Sequence, residues 1–335
     1  VWQRVAEDYA PFDVDVTTDT AYDPDNYTGN KDYVGWLLIC ESTDNNGVAL
    51  PHSGSGGVAY VGVFGNSTYS PNYQPAWVNS TNGGGSESII AEAASHEMGH
   101  NMGLSHDGTS TLAYYGGHGS GDISWGPIMG TGYNRNISQW CKGEYYNASQ
   151  LQDDLTIISN RVAYRADDHG NTAGTATPLT ITSGTTISST TPENDPSNSS
   201  PTNKGLIGRN TDVDVFSFYT GAGTVQLNAN PWIQPSGTRG GNLDLLLELY
   251  NAAGTLVASN NAANLTSATI STTLTQGYYY LHLRNTGTGT PLVSPPSGYT
   301  AYGSIGQYFI SGTIVDANPP LALAGVTPAS GNSGS

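Results

Sequence analysis

The stretch HEMGHNMGLSHD, from His96 to Asp107, decides how the first half of this chain is interpreted. It concentrates three of the 7 histidines of the chain, together with one glutamate, in a short segment. On a helix, His96 and His100 lie one turn apart on the same face, where both can bind one tetrahedral Zn²⁺. Glu97 lies beside them and is placed to take a proton from a water on the metal.

The residues after the second histidine predict a third ligand. Gly103 marks the end of the helix, because glycine adopts a left-handed conformation there without steric cost. The resulting turn brings His106 back toward the metal. Three protein ligands leave the fourth position open, as in catalytic zinc sites. A closed structural zinc site, or histidines that bind no metal, are the alternatives.

The residues before the motif predict the helix that carries it. SESIIAEAASHEMGHNM, from Ser86 to Met102, starts with a serine suited to the N-cap, and Glu87 stands in the first turn. Apolar residues follow at helical spacing. A second helix is expected to begin near Asn147 and to include LQDDLTIISNRVAY.

Two stretches rich in β-branched and aromatic residues predict strands. They are YVGWLLIC, residues 33–40, and GGVAYVGVFG, residues 56–65. The second is our candidate for an edge strand that pairs with an extended substrate, and an ordinary internal strand is the alternative.

The whole pattern, HExxH followed by xxGxxH and a later Met-turn, is the signature of the metzincin zinc proteases. The sequence resembles the reprolysin (adamalysin) branch of that clan, which typically carries Asn at the position of Asn101 and Asp at that of Asp107. GPIMG supplies the candidate Met-turn, with Met129 after the third histidine. The resemblance implies that Glu97 is the general base and that Met129 forms the floor beneath the metal. By the same resemblance the zinc ligands are His96, His100 and His106.

The chain departs from the reprolysin pattern at the Met-turn. Reprolysins usually have a cysteine where Pro127 stands here, so their usual disulfide pattern cannot be assumed. We expect Cys40 and Cys141 to form one disulfide, because the composition suggests export, and two free buried thiols are the alternative.

Two aromatic residues near the Met-turn have open roles. Tyr133 follows Met129 by four positions, not by the two at which astacins and serralysins place a tyrosine at the metal. It is a candidate transition-state donor or a packed turn residue. His118 either lines the cleft or is a loop histidine without a role.

The second half consists of short β-rich runs separated by turn residues, which predicts an antiparallel β-sandwich. The runs DVDVFSF, NLDLLLELYNAAGTLVAS, LTQGYYYLHLRN and YGSIGQYFISGTI resemble the bacterial pre-peptidase C-terminal domain. That resemblance implies a role in secretion or substrate attachment. In the run Tyr278 to Tyr280, at most two side chains can share one face of a strand.

Hard oxygen ligands at the start of this module suggest a calcium site. Some related collagenase modules bind Ca²⁺. Solvated or turn-capping carboxylates are the alternative. The candidate ligands are Asp167, Asp168, Asn171, Asp212 and Asp214.

The composition excludes several classes of protein. A formal charge of −17 disfavours nucleic acid and anionic membranes as partners. No apolar run approaches the ~20 residues needed to insert in a bilayer. Abundant Gly, Ser, Thr and Asn, 21 tyrosines and only 11% charged residues are typical of extracellular β-rich modules. We expect a secreted, mature form with Val1 as a processed end, the signal peptide and any zymogen pro-segment being absent.

The predicted fold is an α/β metzincin catalytic domain, with a mixed sheet and an active-site helix, followed by an all-β, jelly-roll-like sandwich. The expected boundaries are 1–166 for the zinc-peptidase domain, 167–205 for a linker and first strand, 206–316 for the sandwich, and 317–335 for a Pro/Gly/Ser-rich tail. By composition the tail is disordered. A homo-oligomeric or filament assembly that holds the tail is one hypothesis.

The expected function is that of a secreted, bacterial zinc metalloendopeptidase. It would hydrolyse peptide bonds of extracellular proteins by zinc-activated water, with Glu97 as general base. The alternative is an extracellular scaffold, adhesive or self-assembling surface protein in which the peptidase domain is secondary or vestigial.

Overall fold

The structure, a computed structural model, describes residues 1–82, 84–189, 202–233 and 240–317. Its helices are α1 (Trp2–Asp8), α2 (Tyr69–Tyr73), α3 (Glu87–Met102) and α4 (Asp154–Ser159). Short 3-10 helices cover Thr20–Tyr22, Lys31–Tyr33, Gly121–Ile123 and Ala173–Thr175. The strands of the first half are β1 (Leu37–Cys40), β2 (Gly57–Val58), β3 (Ala76–Asn79), β4 (Trp125–Pro127) and β5 (Ile137–Gln139).

The strands of the second half are β6 (Thr177–Pro178), β7 (Ile181–Thr182), β8 (Thr186–Ile187), β9 (Lys204–Ile207), β10 (Asp214–Thr220), β11 (Gly223–Pro231), β12 (Leu245–Asn251), β13 (Leu256–Asn260), β14 (Ala268–Leu274), β15 (Gly277–Asn285), β16 (Thr288–Thr290), β17 (Ser297–Tyr299) and β18 (Gly306–Thr313). The predicted tail, beyond residue 317, lies outside the described residues. So do residues 190–201 of the predicted linker.

The first half is built on a small mixed sheet and the long helix α3. Strand β3 lies in the middle, parallel to β1 and antiparallel to β2, which leaves β2 at the edge of this sheet. Helix α3 packs on β3 through buried Val78, Ile90 and Ala94. The mixed sheet and helix expected from the sequence are therefore present.

Helix α3 begins and ends where the sequence predicts. Ser86 takes the N-cap position with extended backbone, although its side chain makes no capping bond. Gly103 has φ +121°, and its N–H donates to the carbonyls of Gly99 and His100. A residue with a Cβ would be strained in that left-handed conformation, so the glycine fixes the point where the helix stops.

Two predicted elements are shorter than expected. In the predicted strand 56–65 only Gly57 and Val58 form β2, because Gly62 and Gly65 have φ of +71° and +77° and turn the chain. The N–H of Gly62 instead donates to His100 O at the end of α3. The predicted second helix is confined to α4, since Asn147 is itself left-handed at φ +63°.

The second half forms the predicted β-sandwich. One sheet has the order β13-β12-β15-β10-β6, and the other has the order β14-β11-β18-β8-β7 with β9 also paired to β18. Alternate residues of the long strands are buried, as in β15, where Tyr279 is 5% exposed and Tyr278 is 59% exposed. Strands β6, β7 and β8 come from the predicted linker, so its described part contributes to both sheets.

The two halves share one hydrophobic core. Phe12, Trp140 and Leu155 of the first half belong to the same buried cluster as Tyr302 and Tyr308 of the second. Burial of each such side chain contributes roughly 1.5–3 kcal/mol to stability. The halves are therefore packed together and not merely tethered. None of the helices within the described residues is long and apolar enough to cross a membrane.

Candidate active site

The three predicted zinc ligands lie together at the end of α3. His96 and His100 project from the helix, and His106 follows the turn at Gly103. One ring nitrogen from each of the three lies within 4.8 Å of the others. The Nε2 atoms of His100 and His106 are 2.9 Å apart. The turn at Gly103 therefore brings His106 back to the two helical histidines, as predicted.

Backbone carbonyls orient the two helical histidines. Nδ1 of His96 is 2.9 Å from Ile128 O, and Nδ1 of His100 is 2.7 Å from Leu104 O. Because a carbonyl oxygen only accepts, Nδ1 carries the proton in both rings and Nε2 keeps its lone pair. Burial lowers the pKa of all three rings, that of His96 to about 3. Neutral rings are the form that binds a metal.

Glu97 adds an acceptor beside the histidines. It is 6% exposed, and its Oε2 has no hydrogen-bond partner among the described residues. Burial raises the pKa of Glu97 to about 8. An unpartnered buried carboxyl next to three converging imidazoles fits a divalent cation, because a positive charge there would compensate the desolvation of the carboxylate.

Met129, the residue predicted to form the floor beneath the metal, packs against α3 at Gly99. It is fully buried, and a Cβ on Gly99 would come within 2.6 Å of its Sδ. The N–H of Asp107 donates to Met129 O at 2.8 Å. The Met-turn is therefore tied both to the helix and to the residue that follows the third histidine.

The histidines and Glu97 open into a cleft of about 770 Å³. Strand β2 forms one wall, and apolar residues of α3 such as Ile89 and Ala93 also line it. Tyr133 lines the cleft as well, and burial raises the pKa of its hydroxyl to about 12. The predicted edge strand therefore lies at the cleft, but it is only two residues long.

Two further residues shape the site and were not singled out from the sequence. The ring of Tyr114 lies 4.2 Å from that of His106 and lines the cleft. Gly57 of β2 lies against Glu97, since a Cβ there would be 2.5 Å from Glu97 Oε1. Neither residue belongs to a periodic pattern.

His118 does not line the cleft. It is 8% exposed and lies between Tyr115 and the β16–β17 hairpin of the second half. Both of its ring nitrogens are hydrogen-bonded.

The predicted disulfide is wrong. Cys40 and Cys141 are both free thiols. Cys40 lies on β1 with its Sγ 4.0 Å from Val78 O, whereas Cys141 is fully enclosed and its Sγ donates to Asp107 Oδ2 at 3.2 Å. Burial raises the pKa of the Cys141 thiol well above its usual value. Each cysteine has its own partner in a separate part of the first half.

The predicted calcium ligands form a second polar cluster, at the start of the sandwich. Carboxylate oxygens of Asp167, Asp168 and Asp214 lie within 4.8 Å of one another. Asn171 donates to Asp167 Oδ2 at 2.8 Å, and Gly208 N donates to Asp212 Oδ2 at 2.8 Å. The structure therefore brings three of the predicted carboxylates together, with Asn171 bonded to one of them and Asp212 near enough to act electrostatically on Asp214.

The carboxylates of this cluster lack a full set of partners. Asp214 is completely buried, and its Oδ1 and that of Asp212 accept no hydrogen bond from the part of the chain that is described. Burial, together with repulsion from Asp168 and Asp212, raises the pKa of Asp214 well above its usual value. The cluster is unfavourable for negative charge unless a cation or protons are bound.

Part of the first half matches a known protein family. Residues 24–141 match the family model Reprolysin_5, described as metallo-peptidase family M12. This segment covers α3 and the three histidines. The resemblance to reprolysin-type metallopeptidases is thereby confirmed for this segment, which is about a third of the chain.

Two of the solved structures that match the chain resemble it only distantly. The pre-peptidase C-terminal domain of collagenase from Bacillus anthracis is 16% identical, over 40% of this chain and 90% of that chain, with a TM-score of 0.23. PliG of Aeromonas hydrophila, a periplasmic inhibitor of g-type lysozyme, is 10% identical, over 42% and 95%, with a TM-score of 0.25. No curated protein matches the chain.

Proposed function

We propose that this protein is a secreted zinc-dependent endopeptidase, with a metzincin-type catalytic domain followed by a jelly-roll-like sandwich. One observation carries the proposal. Three neutral imidazoles converge beside the unpartnered carboxyl oxygen of Glu97 at the floor of an open cleft. The match to metallo-peptidase family M12 supports the same reaction class.

His96, His100 and His106 are the residues that would hold the zinc, through the nitrogen that each ring has available. Bound zinc supplies a Lewis acid for the scissile carbonyl and for water. Glu97 accepts the proton of the attacking water and then delivers it to the leaving amine. Its enclosed position favours this transfer, since few other groups compete for its Oε2.

The cleft walls supply substrate binding. Strand β2 is the edge of its sheet beside Glu97, so an extended polypeptide can add to it by main-chain hydrogen bonds. Apolar Ile89 and Ala93 line the same cleft and suit an apolar side chain of the substrate. Protein and peptide substrates fit this arrangement.

The test is metal analysis combined with cleavage of casein, with and without chelator. The wild type should bind one zinc and cleave, and Glu97→Ala should keep the zinc while activity falls by roughly 10²–10⁴-fold. Glu87→Gln, on the exposed first turn of α3, is the matched control and should change neither. A zinc-loaded wild type that cleaves no protein would favour the scaffold alternative.

We also propose a structural calcium ion in the cluster at the start of the sandwich. The supporting observation is that Asp212 Oδ1 and Asp214 Oδ1 are buried and accept no hydrogen bond within the described residues. Asp214 also lies close to Asp167 and Asp168. Carboxylate and amide oxygens are the ligands that Ca²⁺ prefers. The bound ion would offset the repulsion among the carboxylates.

A further inference from the structure

The segment between the third histidine and the Met-turn is held by a few backbone bonds. The N–H of Tyr115 donates to Asp107 O at 2.7 Å, and Tyr115 O accepts from Thr131 N at 2.9 Å. Tyr115 therefore lies between the residue after His106 and the residues after Met129. A shift of Tyr115 would move both.

Adjacent residues in this segment face opposite ways. The Tyr114 ring packs against that of His106, with the ring planes at 40°, and lines the cleft. Tyr115 points away from the cleft, where its ring stacks on Tyr145 with centroids 4.6 Å apart and planes at 9°. The position of the cleft wall thus depends on what holds the Tyr115 side chain.

His118 connects that side chain to the second half of the molecule. The Tyr115 hydroxyl is 2.8 Å from His118 Nδ1, and His118 Nε2 is 2.7 Å from Gly298 O in β17. Since the carbonyl only accepts, Nε2 carries the proton and Nδ1 accepts from the tyrosine hydroxyl. Burial lowers the pKa of His118, which is consistent with this neutral form.

The hairpin presents the carbonyl from a tightly defined position. Gly298 has φ +63°, and a Cβ there would come within 2.0 Å of Thr288 O on the paired strand β16. Only glycine fits this backbone without moving the hairpin. Its carbonyl is therefore a fixed anchor for the imidazole.

We propose that His118 is a positioning residue through which the β16–β17 hairpin of the sandwich sets the Tyr114 wall of the cleft. The inference rests on the proposed peptidase function for its kinetic consequence. It assigns the second half a role in forming the active site. The two halves remain joined without this link, because Glu7 binds Gln307 and Tyr302 binds Asp153 elsewhere in the contact.

The test compares His118→Phe with Tyr302→Phe. Each variant removes two side-chain hydrogen bonds. Those of His118 go to the Tyr115 hydroxyl and, across the contact between the halves, to Gly298 O. The Tyr302 hydroxyl donates to Asp153 Oδ1 at 2.7 Å and accepts from Leu155 N at 2.9 Å, both across the same contact. His118→Phe should raise KM for a short fluorogenic peptide about tenfold, with zinc content unchanged, because the cleft wall is misplaced. Tyr302→Phe should lower Tm without changing KM. His118→Gln keeps a donor for the hairpin carbonyl and should recover part of the loss.

Amide hydrogen exchange on the chelated protein gives a readout that needs no activity. In His118→Phe the amides of Tyr115 and Thr131 should exchange faster, whereas in Tyr302→Phe they should not. Gly298→Ala disturbs the same contact from the hairpin side and should also speed exchange at the amides of Tyr115 and Thr131. The double variant should exchange little faster than either single variant. Unchanged exchange and KM in His118→Phe would overturn the proposal. A wild type that cleaves nothing would refute the peptidase function, and the exchange experiment would still decide the role of His118.

Discussion

The histidine cluster of the first half and the carboxylate cluster of the second are both candidate metal sites, but they are built in different ways. The histidines come from one continuous motif on α3 and its C-terminal turn. The carboxylates come from two segments, around Asp168 and around Asp214, that the sandwich brings together. One cluster opens into a cleft of about 770 Å³, and no residue of the other lines that cleft.

We infer from this difference that the histidine cluster is a reactive site and that the carboxylate cluster is a stabilising one. Neutral nitrogen ligands and a nearby carboxyl suit zinc and leave room for a substrate. A set of crowded carboxylates suits a hard cation that is enclosed by the protein. We therefore expect loss of the first ion to remove activity, and loss of the second to lower stability.

The largest expected effect is that of His100→Ala. His100 is central to the proposed zinc site, with its Nε2 2.9 Å from that of His106 and its Nδ1 bonded to Leu104 O. Its removal should abolish both zinc binding and peptidase activity. The measurements are zinc stoichiometry by atomic absorption and the rate of casein cleavage.

His52→Ala is the control for that variant, because His52 lines the same cleft but does not belong to the histidine cluster. It should keep its zinc. If His100→Ala retained a full equivalent of zinc, the assignment of the ligands would be wrong.

The next effect is a calcium-dependent stability that Asp214→Asn should remove. Saturation with ligand at about 100 times its Kd stabilises a fold by ~2.7 kcal/mol, which corresponds to a Tm shift of a few degrees. Calcium added to the chelated wild type should therefore raise Tm by about 3–5 °C. Asp122→Asn, on an exposed 3-10 helix away from the cluster, should keep the full shift. An unchanged Tm of the wild type on adding calcium would dismiss the site.

The two clusters also differ in how far the sequence determined them. The convergence of the three histidines was predictable because helical periodicity and a glycine stop fix their geometry within one segment. The carboxylates were predictable only as oxygen ligands, since their approach depends on pairing between strands far apart in the chain. The length of strand β2 was overestimated, because Gly62 and Gly65 turn the chain after Val58. The disulfide was predicted from composition, which says nothing about the distance between two thiols.

The shared core of the two halves had no sequence signal either. Tyr302 contacts Leu155, and Gln307 contacts Glu7, across more than a hundred residues of chain. Pattern within a segment predicts which face is buried, but not which distant surface covers it. The role of His118 follows from such a contact and could only come from the structure.

The smallest predicted effect concerns a third polar group, Glu7 of α1, which lies between the two halves. It is buried, and it accepts from Gln307 N at 3.0 Å and from Gln307 Nε2 at 2.8 Å. Burial raises its pKa to about 8, and that of the adjacent Asp8 to about 7. In the two candidate metal sites a cation would offset the cost of burying charge, whereas at Glu7 a proton would do so.

The raised pKa gives the pH dependence its sign. The folded protein keeps the Glu7 proton up to about pH 8, whereas the unfolded chain releases it near the ordinary glutamate pKa of 4.5. The stabilisation is therefore complete below pH 4.5 and is lost as the pH rises to about 8, at up to ~1.4 kcal/mol per pH unit for one such group. In chelated protein Tm should fall between pH 5 and pH 8.5, and Glu7→Gln should make that decline shallower. Asp122→Asn, the control, should leave the slope of Tm against pH unchanged. If the Tm of the wild type rose over this range, the contact between the halves would hold Glu7 ionised.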